Sequence, residues 1–223
     1  MKRSEINRAL GRAIEQLRLH RWALPAWSDW TAEEFAADPD TTRYLDAHQM
    51  GWDVTDFGSG DFLRRGLTLF CVRNGRSSDA ADRPYAEKLL FIEEGQETPM
   101  HAHKVKMEDI INRGGGTLVI EFVWAEDGAE TDRPVEVTVD AGTRKLAPRE
   151  ALRLRPGESV TIPRGLHHRF YAAPGEGPVF AGEVSQTNDD RTDNYFLEPL
   201  GRFSAMEEDE APLRLLWNEA LKP

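Results

Sequence analysis

A single cysteine, Cys71, in 223 residues leaves no partner for an intrachain disulfide. Its setting, Leu67-Thr68-Leu69-Phe70-Cys71-Val72, reads as a buried strand in which a thiol is a small hydrophobe. No apolar run approaches the ~20 residues needed to cross a bilayer. The opening Met1-Lys2-Arg3-Ser4-Glu5 lacks the apolar core of a secretion signal, so a cytoplasmic protein is expected, with no membrane partner. A basic excess is also missing. The formal net charge of -11 repels phosphate backbones and argues against nucleic acid as a partner. Solenoid-period repeats and low-complexity linkers are absent. What remains, 39% apolar and 30% charged residues, is the composition of an ordinary globular protein.

Two kinds of segment follow each other. Up to about residue 50 the chain reads as helical. Ser4 is a good cap, Ile6, Leu10, Ile14 and Leu17 recur at helical spacing, and Thr31-Ala32-Glu33-Glu34 is a capping box. Trp22, Trp27 and Trp30 are expected to dock these helices, and His20 and His48 to be structural or solvated. After Gly51, segments 66–73, 85–93, 117–124, 135–140, 151–155, 158–163, 167–173 and 178–185 are short and rich in Val, Ile, Leu, Phe and Thr, with Gly, Pro and Asp between them. That pattern predicts an all-β sandwich or barrel behind an N-terminal helical extension. Pro212 through Trp217 reads as a short closing helix. One domain over 1–223 is expected: extension 1–50, barrel 51–205, C-terminal segment 206–223.

Four of the six histidines fall in two tight clusters. Residues two apart on a strand face the same way, so His101 and His103 aim two imidazoles into one space, and Glu108 follows after room for a bend. The second cluster, Gly157 to His168, supplies one more imidazole. His168 is preferred over His167 because Phe170 and Ala172 continue an inward face. Three imidazoles and a carboxylate, without sulfur, suit Mn²⁺, Fe²⁺, Co²⁺, Ni²⁺ or Zn²⁺.

The spacing resembles both signature motifs of the cupin superfamily. Gly95, five residues, His101-x-His103, four residues, Glu108, six residues and Gly115 correspond to the first. Gly157, five residues, Pro163-x-Gly165, two residues and His168 correspond to the second, with Ala172 at the position of the usual Asn. The resemblance implies a jelly-roll barrel, the double-stranded β-helix. Forty residues separate Gly116 from Gly157, which predicts an extra hairpin around Val135–Asp140. Gly114-Gly115-Gly116 lacks the Lys-Ser/Thr of a phosphate loop and reads as a tight turn.

A narrower resemblance is to the D-lyxose isomerase family. It rests on Trp52-Asp53-Val54-Thr55-Asp56-Phe57-Gly58, Met107 to Gly116, Gly182-Glu183-Val184-Ser185 with Asn188-Asp189-Asp190, and Asn194-Tyr195-Phe196-Leu197-Glu198-Pro199. It implies a Mn²⁺-dependent, homodimeric aldose–ketose isomerase that interconverts D-lyxose and D-xylulose, and also D-mannose and D-fructose. Such chemistry through a metal-stabilised cis-enediol needs a carboxylate base beside the cation, and Glu183 and Glu198 are the two candidates. Lys88, a charge in the apolar run Leu89-Leu90-Phe91-Ile92, and Lys106, between the metal ligands, are candidates to bind a sugar hydroxyl or carry a proton. Asp189 and Asp190 either grip distal hydroxyls or cap a loop. The absence of a basic cluster near these residues favours a free sugar over a phosphosugar. The rival readings are another cupin metalloenzyme, such as a dioxygenase or phosphosugar isomerase, and a non-catalytic sugar-binding cupin.

Overall fold

The computed structural model describes residues 1–220. Helices α1 (Arg3–Leu19), α2 (Ala32–Ala37) and α3 (Pro39–Ala47) come first. Strands β1 (Gly51–Thr55), β2 (Leu67–Arg73), β3 (Tyr85–Ile92), β4 (Glu97–His103), β5 (Glu108–Gly115) and β6 (Leu118–Val123) follow. A small hairpin, β7 (Ala125–Glu126) and β8 (Ala129–Glu130), and a larger one, β9 (Val135–Val139) and β10 (Gly142–Leu146), fill the interval between the two histidine clusters. Strands β11 (Ala151–Leu154), β12 (Ser159–Ile162), β13 (His167–Ala172), β14 (Val179–Gln186) and β15 (Asn194–Phe196) complete the order.

The strands form two large antiparallel sheets of a cupin-type jelly roll. One runs β1-β2-β3-β14-β5-β12-β9-β10 and the other β11-β6-β13-β4-β15. Between them lies a core that includes Leu90, Ile110, Ile120, Phe122, Phe170 and Ala181. The outer face of the larger sheet is covered too, because Ile6, Leu10 and Leu17 of α1 pack on Trp52, Phe70, Leu89, Phe91 and Phe180. Both faces are therefore buried from Lys88 to Ile92 of β3 and from Val179 to Glu183 of β14. That explains why these strands read as continuous apolar runs without alternation. Lys88 and Glu183, both buried, sit opposite one another across the β3–β14 ladder.

Two local expectations differ from the structure. Helix α1 begins at Arg3, and the Glu5 carboxylate accepts the Lys2 amide at 2.8 Å. Ser4 is inside the first turn, where its hydroxyl donates to Asp209 at 2.8 Å and ties the helix to the C-terminal segment. Pro212–Trp217 is not a helix. The Trp217 amide donates to the Trp52 carbonyl at 2.8 Å and Leu216 bridges to Trp52, so the backbone groups needed for a helical ladder are spent on β1. The Thr31–Glu34 capping box forms as expected. Trp27 stacks on Phe70, and Trp22 and His20 pack on Phe180. His48 is buried, with its ring nitrogens 2.7 Å from the Tyr44 carbonyl and 2.8 Å from Asp82.

Candidate metal centre and active site

The imidazole cluster is built by strand geometry. On β4, His101 and His103 are two residues apart, and the β4–β13 register sets His168 directly opposite His101. A bulge between His168 and Phe170 lets Thr98, His101 and His103 all face the same cavity. The three rings offer nitrogens that lie within 4.8 Å of one another. Glu108, the first residue of β5, reaches them from the facing sheet, its Oε1 3.0 Å from His168 Nε2 and 3.3 Å from His103 Nε2. His167, on the opposite face of β13, is also buried and packs edge-on against Tyr195.

Hydrogen-bond roles then specify what this cluster wants. His101 Nδ1 lies 2.8 Å from the Pro99 carbonyl and His168 Nδ1 3.1 Å from the Leu166 carbonyl. A carbonyl only accepts, so each Nδ1 carries a hydrogen, and in the neutral ring each Nε2 is the atom that offers a lone pair. In His168 that lone pair confronts a carboxylate oxygen, and both His168 Nε2 and Glu108 Oε1 are buried without a hydrogen-bond partner. Two acceptors in that arrangement repel unless a cation stands between them. The residues thus fit a divalent transition metal held by three imidazoles and one carboxylate. Behind them, Asp193 Oδ2 lies 3.6 Å from His103 Nδ1, and its other oxygen accepts the Val105 amide at 2.6 Å. Burial, followed by the neighbouring His168 and His103 rings, holds His101 well below its ordinary range and so keeps it a neutral ligand.

A chain of buried charges adjoins the cluster. Lys106 Nζ bridges Glu108 Oε2 at 2.6 Å and Glu183 Oε1 at 2.5 Å. Lys88 Nζ lies 3.0 Å from Asp190 Oδ1 and 3.6 Å from Glu183 Oε1. Arg202 Nη2 continues the chain to Asp190 at 3.1 Å and Asp53 at 2.7 Å. Burial pushes the Glu183 carboxyl up, but Lys106 and Lys88 outweigh it and leave the group lowered. Lys88 and Asp190 follow the same logic with opposite signs. Burial disfavours both charges, yet the pairing raises the ammonium and holds the carboxyl well down. Around Glu183 the pairing therefore keeps both partners charged: an acceptor carboxylate flanked by the donor ammonium groups of Lys106 and Lys88.

These residues line a cavity between the sheets. His101, His103, Glu108, Lys106, Lys88 and Glu183 all line it, as do Asp190 and Arg202. Phe57, Phe196, Leu67 and Leu69 form an apolar wall. His168 lies behind the imidazole pair, fully buried. Glu198 is not brought there. It is half exposed and engaged by Arg65 at 2.6 and 3.1 Å on the outside of the molecule. Asp189 is not brought there either. Its carboxylate accepts Gln49 Nε2 at 2.6 Å and the Arg191 amide at 2.9 Å. Asp53, Asp193 and Arg202 have no role that the sequence alone assigns. Asp53 lies in a stretch that carries the family resemblance, but no spacing rule links it to Arg202, 149 positions away.

Comparison with known proteins agrees with this architecture. The family model described as D-lyxose isomerase matches residues 1–220. A D-lyxose/D-mannose isomerase of Escherichia coli O157:H7 is 42% identical over 223 residues, covering 98% of either chain. Another, of Serratia proteamaculans, is 49% identical over 178 residues, covering 78% of this chain and 77% of that one. Among solved structures, Cellulomonas parahominis L-ribose isomerase with L-ribose superposes with a TM-score of 0.62 at 17% identity, over 93% of this chain and 98% of that one. The L-ribose isomerase of Acinetobacter sp. DL28, in complex with L-ribose, gives the same TM-score at 16% identity, again over 93% of this chain and 98% of its own. At that identity the two structures speak for the fold alone. The full-length family match and the two sequence relatives carry the assignment: this chain belongs to the D-lyxose isomerase family.

Proposed function

We propose that the cavity interconverts an aldose and its 2-ketose, with D-lyxose and D-xylulose as one pair and D-mannose and D-fructose as another, and with Mn²⁺ as the resident ion. The observation that carries the reading is Glu183. It is a carboxylate on the interior of a doubly buried strand, kept ionised by two lysines and joined through Lys106 to Glu108. An unpaired charge at such a position would be strongly destabilising, so its place beside the imidazole cluster calls for a chemical purpose.

In this reading His101, His103, His168 and Glu108 hold the cation, which when bound supplies Lewis-acid stabilisation of negative charge on the sugar oxygens. Glu183 takes the proton from one of the two carbons C1 and C2 and returns it to the other, acting as base and then as acid. The Lys106 and Lys88 ammonium groups donate hydrogen bonds to the oxygens of C1 and C2 and hold Glu183 in place, and one of them gives a proton to O1 and takes one from O2, so that the oxygens balance. Asp190 and Arg202 receive the distal hydroxyls. Arg202 Nη1 is buried in the cavity wall with no partner, a donor free for that purpose. The apolar wall of Phe57 and Phe196 keeps water from the carbanion-like carbon. Glu198, held by Arg65 away from the cavity, is set aside as the base. The homodimer and cytoplasmic location implied by the family resemblance accompany this reading.

Incubating the Mn²⁺-loaded protein with D-lyxose in D₂O tests it. Ketose carrying solvent deuterium at C1 is the expected product. No ketose from D-lyxose, D-mannose or any other aldose would dismiss the proposal. Ketose that stays free of deuterium even after prolonged equilibration over many turnovers would replace the proton transfer by a direct hydride shift.

A further inference from the structure

Helix α3 ends in an arrangement that favours glycine and carries a glutamine instead. The Met50 amide donates to the Leu45 carbonyl at 2.9 Å and the Gln49 amide to the Asp46 carbonyl at 3.0 Å, the paired bonds of a Schellman ending. Its left-handed residue is Gln49, at φ +52°. A side chain with a Cβ is strained there, and glycine would relieve it. The carboxamide is fully employed, however. Its oxygen accepts the Asp190 amide at 3.0 Å, and its nitrogen donates to the Asp189 carboxylate at 2.6 Å.

A second stitch runs beside the first. Asn74 Nδ2 donates to the carbonyls of His48 (3.1 Å) and Asn188 (3.0 Å), and Asn188 Nδ2 in turn donates to Asp190 Oδ1 at 2.7 Å. Asp190 is thus fixed twice. Lys88, Asn188 and Arg202 hold its carboxylate, while Gln49 holds its backbone from outside the barrel. A shift of the 188–190 turn would carry the carboxylate away from Lys88 and Arg202 and loosen the wall of the cavity.

We infer that Gln49 is a positioning residue for the reaction: from the end of the helical extension it sets the Asp190 carboxylate, and through it Lys88 and Arg202, in the geometry that receives the sugar. The inference rests on the isomerase reading of the cavity. It makes the helical extension part of the active-site apparatus as well as a cover for the sheet.

The test compares five Mn²⁺-loaded proteins, wild type, Gln49→Gly, Gln49→Asn, Asp190→Asn and the Gln49→Gly/Asp190→Asn double variant, by steady-state kinetics on D-lyxose and by thermal melting. Gln49→Gly should lower kcat/KM about tenfold, mostly through KM, with Tm unchanged or raised because the strain is gone. The double variant should be no worse than Asp190→Asn alone, since both changes break one linkage. Gln49→Asn, which tolerates the left-handed region but is one methylene too short, should fall between wild type and Gln49→Gly, and it serves if the glycine variant does not fold. Kinetics within about twofold of wild type for both Gln49 variants, losses that multiply in the double variant, or an activity loss that follows a fall in Tm would overturn the inference. So would an Asp190→Asn protein as active as wild type, which leaves the isomerase reading intact. Wild-type protein that forms no ketose would remove both.

Discussion

The two halves of the cavity solve the problem of buried polarity in opposite ways. In the charged half every group has a partner of the other sign, from Glu108 through Lys106, Glu183, Lys88 and Asp190 to Arg202 and Asp53. In the imidazole half the groups are matched in the wrong sense, lone pair to lone pair, with His168 Nε2 and Glu108 Oε1 unsatisfied. One half is paired charge to charge, and the other sets acceptors against one another in a pattern that fits a cation. The contrast separates a preorganised electrostatic frame from a cluster suited to a metal ion. Mutations in the two halves should therefore fail differently.

The largest effect is expected in the imidazole half. His168→Ala removes a ligand from a fully buried position, and activity should fall by about a thousandfold or more together with bound metal. Elemental analysis of the purified variant checks it, and full metal content would break the contrast. Next comes Glu183→Gln. Loss of the base should cost roughly 10²–10⁴ in kcat while metal content stays at the wild-type level. Loss of metal in that variant would show that the two halves cannot be separated.

Acid should also tell them apart in the metal-free protein. His101 is held below its ordinary 6.5 when folded, so the unfolded chain takes up the proton first and stability drains away as pH falls below 6.5. Glu183 and Asp190 are lowered from 4.5 and 3.8, so their contribution is present above those values and is lost only as pH falls below them. Urea denaturation of His101→Asn against wild type at pH 8 and pH 5 should show a smaller pH-dependent loss in the variant. Equal losses would contradict the assignment of a neutral, desolvated imidazole. The smallest effect is reserved for Glu198→Gln. It breaks an exposed pair with Arg65, worth about 0–1 kcal/mol, and kcat/KM should stay within about twofold of wild type.

The same contrast decides what is legible in the sequence. The imidazole half comes from two short stretches, and period two along a strand, with glycine and proline punctuation, is enough to bring His101, His103 and His168 together. Glu108 needs only a bend of four residues. The charged half draws single residues from β1, β3, the β4–β5 loop, β14 and the chain after it. No local spacing connects Asp53 to Arg202. Lys88 and Glu183 stand out only because a charge interrupts an apolar strand. Motif proximity alone suggests Glu198, and its neighbour Phe196 does face the cavity. Strand β15 ends at Phe196, so its alternation stops there, and the bend that follows leaves Glu198 with Arg65. Short strands such as β1, β10 and β15 are hard to read for a related reason: their pairing partners, not their own composition, make them strands. The helix expected at Pro212–Trp217 does not form on the same ground, since its backbone bonds to β1.

The most direct measurement is anomalous diffraction from a crystal grown with Mn²⁺. One strong peak should lie between the two sheets, about 2.0–2.3 Å from Nε2 of His101, His103 and His168 and from a Glu108 oxygen. A cavity without a peak, or a peak coordinated by Glu183 and Asp190 in place of the histidines, would refute the division of the cavity into a charge-paired frame and a metal site.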